Sequence, residues 1–306
     1  MSLRERLAAG GFAVTAEISP PRGAGTQQIT ATAALLKDWV DAVNVTDNQG
    51  SHVRLASWAG SLAVISAGLE PVMQMTCRDR NRIALQSDLL GACALGIRNV
   101  LVMTGDHPKF GDHPGAKPVF DLDSIQLLWT LRTMRDQHLL LSGRRLDPAP
   151  ECFLGAVENP FAPPDAFRAD RLGKKVAAGA QFVQTQFVFD VPAFARWMGQ
   201  VRDLGLPGRC AILPGVGAVR SRRALDFMRD QVPGVYVPDD VYRRLTGVPP
   251  DRTAAEGVTL AAETVKQLAA IPGVAGVHLL VAGNEQAVPA ILDQAGLTAA
   301  RGSGGR

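Results

Sequence analysis

The sequence predicts an α/β chain of eight strand–helix units closed into a (β/α)8 TIM barrel, in a single domain. Three observations carry that prediction. Short apolar runs rich in Val and Ile recur along the chain with amphipathic segments between them, the pattern of parallel strands joined by helical crossovers. The runs are continuous rather than strictly alternating, as strands covered on both faces require. They number eight, which favours a closed barrel over an open doubly wound sheet.

The first run, 13–18, sets Thr15 and Glu17 among Ala13, Val14, Ala16 and Ile18. The next three, 42–46, 71–76 and 99–104, start about 28 residues apart, the length of one strand, one helix and two short loops. Helices are read at 54–67 and 81–95 between them, stopped by Gly68 and Gly96. A helix at 124–135 precedes the fifth strand, 152–157. Segment 166–178, ended by Gly179, leads to the sixth, 182–187, and 193–204, ended by Gly205, to the seventh, 211–214. Helices at 222–229 and 254–270 lead to the eighth, 276–281. Two connections are long: 106–123, and the looser 139–150 with Gly143, Pro148 and Pro150. Long loops in a compact domain are more often functional than decorative. The barrel is read over 1–299, and 300–306 as a disordered tail with nothing to bury.

Composition narrows the function classes. Hydrophobic residues are 46% and charged residues 20% of 306, the balance of a folded protein. A net charge of +3, from 32 basic and 29 acidic residues, is too small to imply a nucleic-acid partner. No run approaches the roughly 18 apolar residues of a membrane span, and the first residues lack the apolar core of a signal peptide. The four cysteines, 77, 93, 152 and 210, include no CxxC pair. That argues against a zinc ribbon or a disulfide framework, and the expectation is a cytoplasmic protein without a membrane partner.

In such a barrel the active site forms at the C-terminal ends of the strands, and nearly every one here carries polar groups. In order they are Glu17; Thr46, Asp47, Asn48 and Gln49; Gln74 and Thr76 to Arg80; Thr104, Gly105 and Asp106; Glu158 and Asn159; Gln184 and Gln186; Pro214 and Gly215; and Asn284 and Glu285. A carboxyl inside an apolar strand, as at Glu17, is partly desolvated, which raises its pKa toward that of a general acid near neutral pH. The alternative is a buried ion pair, for instance with Arg22. Neither GxGxxG nor GxxxxGK[ST] occurs. The repeated Gly-Asp-His-Pro at 105–108 and 111–114 reads as turn chemistry rather than metal ligation. Arg78, Arg80 and Arg82, opening a helix, either meet a phosphate or solvate the loop.

Glu17-Ile18-Ser19-Pro20-Pro21-Arg22 resembles the signature that ends the first strand of methylenetetrahydrofolate reductases. Val45-Thr46, Met75-Thr76-Cys77, Thr104-Gly105-Asp106, Thr185-Gln186-Phe187 and Leu213-Pro214-Gly215 fall in that family's order, and the resemblance spans about residues 12–297. The blocks 76–82 and 119–124 look most like the branch found in acetogens and in homocysteine-methyltransferase fusions. The resemblance implies a barrel that holds FAD, takes electrons from NADH or NADPH, and reduces 5,10-methylenetetrahydrofolate to 5-methyltetrahydrofolate. It implies Glu17 as the general acid that opens the methylene bridge, Asp106 near the flavin and the pterin, and Gln186 on the folate. Thr46, Asp47, Gln49, Gln74, Thr104, Gly105, Asp106, Phe120, Asp121 and Lys175 fall where the family lines its FAD; no metal is implied.

The chain departs from the family pattern at several places. Gln74 stands for a histidine, Thr104 for an arginine, Arg222 for a stacking aromatic and Glu285 for an arginine, and the Tyr and His that hold the adenosine end have no counterpart at 156–161. These changes bear on the electron donor, and the acetogen branch allows a partner subunit in place of a nicotinamide. Two other readings stand beside the reductase. One is a flavin-free folate-binding barrel, a partner or regulatory subunit. The other is an unrelated lyase or aldolase barrel, though no predicted strand ends in the lysine that a Schiff base needs. The resemblance implies a dimer or tetramer, but no heptad or apolar stripe specifies an interface.

Overall fold

The computed structural model describes residues 1–232 and 234–297; the tail expected at 300–306 lies outside them. Eight strands, β1 (Ala13–Ile18), β2 (Ala42–Val45), β3 (Pro71–Thr76), β4 (Asn99–Met103), β5 (Phe153–Glu158), β6 (Phe182–Phe187), β7 (Ala211–Val216) and β8 (Gly276–Leu279), pair parallel in chain order. β8 then pairs with β1 and closes the (β/α)8 barrel. The helices are α1 (Leu3–Ala8), α2 (Gln27–Leu36), α3 (Ser57–Ser66), α4 (Arg82–Ala94), α5 (Ser124–Gln137), α6 (Arg168–Ala178), α7 (Val191–Asp203), α8 (Arg222–Gln231), α9 (Asp239–Thr246), α10 (Thr253–Ala269) and α11 (Val288–Ala295). No helix among the described residues is long and apolar enough to cross a membrane.

All eight predicted strands form. The sequence reading missed four helices, α1, α2, α9 and α11, because each is too short or too weakly amphipathic to stand out by period. α1 is six residues, fixed by a capping box between Ser2 and Glu5 and by Leu3, which is fully buried beneath the barrel. α2 buries Ile29, Ala33 and Leu36 out of a bland Ala/Thr run. α9 buries only Val241 and Leu245. Tertiary packing, not propensity, makes these helices. α3 starts three residues later than expected because Arg54 serves the preceding loop: its backbone N–H donates to Asn48 Oδ1 (3.0 Å) and its Nη1 to the Pro20 carbonyl (2.9 Å).

The pleat turns alternate residues into the barrel, and they stack in layers. At the N-terminal end Ala13, Ala42, Val72, Leu101, Phe153, Phe182 and Leu213 close over Leu3. Phe153 and Phe182 stack with ring centroids 5.0 Å apart. Gly155 on β5 leaves room for them, since a Cβ there would lie 2.3 Å from the Phe182 ring. The next layer is polar. Gln184 Nε2 donates to Thr15 Oγ1 (3.0 Å), Gln184 and Asn44 exchange amide hydrogen bonds, and Thr15 Oγ1 lies 2.9 Å from His278 Nδ1. Burial with no charged partner pushes the His278 pKa down to about 3, so it stays neutral. Above this layer the barrel opens at its C-terminal mouth.

Candidate functional site

Glu17 stands at the mouth, the last inward residue of β1, and is 5% exposed. Two amides meet its carboxyl: Gln74 Nε2, from β3, donates to Oε2 and Gln49 Nε2, from the loop after β2, to Oε1, both at 3.3 Å. Ser19 Oγ steadies Gln49 through its Oε1 at 2.9 Å. These partners replace the ion pair considered from sequence, and Arg22 is exposed. Burial pushes the Glu17 pKa up to about 7, opposed by the two amides and aided by the charge of Glu285. A proton is therefore held, and readily given up, near neutral pH.

The turn after β2 is tightly wound. Asn48, Gly50 and Ser51 all have left-handed backbones, with φ of +48°, +62° and +62°. Asp47 faces β3: its Oδ2 accepts from the Thr76 N–H (2.8 Å) and hydroxyl (2.9 Å) and forms an ion pair with Arg80. The three arginines are each held by carboxylates, Arg78 by Asp79, Arg80 by Asp47 and Asp88, and Arg82 by Asp121. The fork of Arg82 and its backbone N–H hold the Asp121 carboxyl down at about 2. These ion pairs tie the loops after β2, β3 and β4 together. Thr46 differs from its neighbours: its hydroxyl is buried at the end of β2 without a hydrogen-bond partner among the described residues. A buried hydroxyl left open in this way fits a bound group that completes it.

The loop after β4 lies across that turn. Gly105 has φ +90°, and a Cβ there would come within 3.1–3.3 Å of the Thr76 and Arg78 side chains. Asp106 is exposed at the mouth, and its carbonyl accepts from Ser51 Oγ at 2.9 Å. The repeated Gly-Asp-His-Pro segments make turns: His107 Nδ1 accepts from the Lys109 N–H (3.1 Å), and the Asp112 carboxylate accepts from Val53 N–H. No group of three or more His, Cys, Asp or Glu among the described residues could hold a metal ion. Thr104 Oγ1 donates to Ser124 Oγ (3.3 Å), and Phe120, with φ +39°, folds back on the core beside Asp121.

On the far side a register shift near the end of β6 sets the mouth. Gln186 lies within it, its Oε1 accepting from the Phe187 N–H at 3.0 Å. Beyond lies an apolar cavity of about 240 Å³ lined by Phe187, Val219, Phe227, Met228 and Leu280. Sequence reasoning placed Arg222 in the aromatic's position; Arg222 opens α8 beside Asp226, and Phe227, 59% exposed, is the aromatic that α8 contributes to the cavity. The signal was present, an aromatic one and a half turns into a helix otherwise rich in Arg and Asp. Lys175 is tied to the C-terminal end of β5. Its Nζ donates to the Val157 carbonyl (2.6 Å) and to Glu158 (2.9 Å), a buried carboxylate on the outward face of β5 that also pairs with Arg171 (2.9 Å). Glu17, Gln49 and Gln74 meet on one wall of the mouth, Thr46 follows β2, and Asp106, Gly105, Thr104, Phe120 and Asp121 come from the loop after β4.

A family model described as methylenetetrahydrofolate reductase matches residues 2–296. Among similar proteins, methylenetetrahydrofolate reductase 1 of Schizosaccharomyces pombe is 25% identical over 289 residues, covering 92% of this chain and 45% of its own. Methylenetetrahydrofolate reductase 2 of Saccharomyces cerevisiae is 26% identical over 263 residues, 82% of this chain and 41% of its own. The chain thus spans less than half of these fungal relatives. The 5,10-methylenetetrahydrofolate reductase of Pectobacterium carotovorum is 24% identical over 269 residues, 85% of this chain and 82% of its own. Among solved structures, an uncharacterized Clostridium thermocellum protein described as binding two copies of 5-methyl-5,6,7,8-tetrahydrofolic acid superposes with a TM-score of 0.67. It is 13% identical and covers 96% of this chain and 97% of that one, a likeness of fold.

Proposed function

The chain belongs to the methylenetetrahydrofolate reductase family, and from that premise we propose that it reduces 5,10-methylenetetrahydrofolate to 5-methyltetrahydrofolate in the cytoplasm, with FAD as cofactor and NADH or NADPH as electron donor. The observation that carries the reading is Glu17: a buried carboxyl at the mouth, held by amides alone and titrating near 7. Opening the five-membered methylene bridge requires a proton on a ring nitrogen, and a neutral carboxylic acid in a desolvated site supplies it. The Asp106 carboxylate favours the cationic iminium that results. The amide of Gln186 matches the donor–acceptor edge of a pterin. Phe227 and Phe187 offer apolar faces for the aromatic part of the folate. Thr46, Asp47, Gln49, Gln74, Thr104, Gly105, Phe120 and Asp121 are the residues that would hold FAD, and the open hydroxyl of Thr46 supports that fit. Lys175, neutralised by Glu158, would contribute only through the fold. The chemistry bound FAD supplies is hydride transfer from the nicotinamide to the folate.

The absent adenosine-end residues and the tethered Lys175 favour a second reading, a folate-binding barrel without flavin. The visible spectrum of the purified protein with added FAD, before and after anaerobic NADH or NADPH, tests both. A bound flavin that bleaches, followed by reoxidation on adding methylenetetrahydrofolate, supports the reductase. A bound flavin that does not bleach points to a partner protein as electron donor. A protein that takes up no FAD but binds folate is the second reading.

A further inference from the structure

We infer that Arg78 is a positioning residue for the mouth: it clasps the loop after β2 to the loop after β4, and so sets where Asp106 and the left-handed turn stand. The inference rests on the reading of the mouth as the flavin and folate site. Arg78 is 2% exposed, although it lies in a loop at the open end of the barrel. Its fork grips the neighbouring Asp79 with Nε and Nη2, both at 2.7 Å. Nη2 also donates to the Asn48 carbonyl (3.2 Å), and Nη1 to Ser51 Oγ (3.0 Å) and to the Asp106 carbonyl (3.2 Å). Its own carbonyl accepts from the Val119 N–H at 2.8 Å, beside Phe120. One side chain and one carbonyl thus meet both ends of the long loop and both ends of the turn.

The turn gives the reason for such a hub. Left-handed backbone is unfavourable at a residue with a Cβ, and Asn48 and Ser51 both adopt it. Such conformations persist only where surroundings over-determine them. A planar guanidinium with five donors can span five acceptor atoms on four residues at once. Lysine, with three donors on one nitrogen, cannot reproduce that spread. With its nitrogens turned to protein acceptors, Arg78 has no fork left for a ligand anion and acts on the site through Asp106, Ser51 and Asn48.

The test compares R78M, R78K and R78A with the wild type in three measurements: FAD titration, folate turnover, and tryptic cleavage of the flavin-free protein after Lys109, which Phe110 follows. R78M and R78K are expected to fold, to bind FAD about tenfold more weakly, and to lose about 100-fold in kcat, the scale of a misplacement near one ångström. Cleavage in the 104–121 loop should accelerate in both while thermal melting of the barrel stays within a few degrees. Added guanidinium ion should restore FAD binding to R78A, a recovery that a merely structural loss would not give. Wild-type FAD affinity and wild-type cleavage in R78M and R78K, or no recovery with guanidinium, would overturn the inference. Should the Arg78 variants fail to fold, S51A removes one bridge only. Faster cleavage and weaker FAD binding there support the clasp, and unchanged values reject it. If the wild type takes up no FAD, the reading of the site fails, while the cleavage comparison still decides the role of Arg78.

Discussion

Glu17 owes its chemistry to one residue's setting. A carboxyl in an apolar strand was legible in the sequence as a candidate acid; that amides and not an arginine would receive it was not, because Gln49 and Gln74 reach it from two other elements. E17Q is expected to keep flavin reduction by NADH or NADPH and to lower folate reduction by about 10²–10⁴-fold, the usual share of a general acid. Rapid-mixing of each half-reaction checks it, and equal loss in both would refute the role. The sign of the pH dependence follows from the raised value: Glu17 is protonated below about 7, so folate reduction falls as pH rises through 7. Flavin reduction should lack that limb. Arg78 is the converse case. Its side chain could be read as a phosphate ligand or a loop charge, and only the folded loops reveal the four residues it bonds.

Strand positions were readable element by element, because apolar runs with Gly stops repeat at the spacing of a strand–helix unit. The short helices were not, since α1 and α9 exist through what they cover rather than through their own period. Closure of the sheet also depends on a feature with no period at all. Gly155 leaves the space that the Phe182 ring fills, so G155A is expected to cost about 1–3 kcal/mol by overpacking. Urea unfolding measures it. G173A, on an α6 face with nothing within 4 Å of the added Cβ, should be neutral or slightly stabilising. Equal effects in the two variants would reject the packing explanation. The shift at the end of β6, which places Gln186, is likewise set by pairing with β7 and not by composition.

At the scale of the molecule, two buried groups titrate in opposite senses. The raised Glu17 pKa means that the folded state holds a proton the unfolded state releases. Its contribution to stability is therefore full below the ordinary carboxyl value of 4.5 and lost as pH rises to about 7. His278 is lowered from 6.5 to about 3, so its contribution is full above 6.5 and lost as pH falls toward 3. E17Q should therefore gain about 2.5 kcal/mol on the wild type between pH 5 and pH 8, at about 1.4 kcal/mol for each tenfold change in proton affinity. Urea midpoints at the two pH values check this, and a pH-independent difference would refute it. The sequence by itself determined the eight-unit barrel, its open end and the family, because these rest on period, strand count and ordered motifs along the chain. It also named Glu17, Asp106 and Gln186 as candidates. Only the tertiary structure decided which polar groups meet: that Glu17 is held by glutamines, that Lys175 turns outward to Glu158, that Phe227 lines the cavity and that Arg78 joins the loops. Barrel closure brings together residues dozens of positions apart, and no local pattern encodes the partner a side chain meets across that distance.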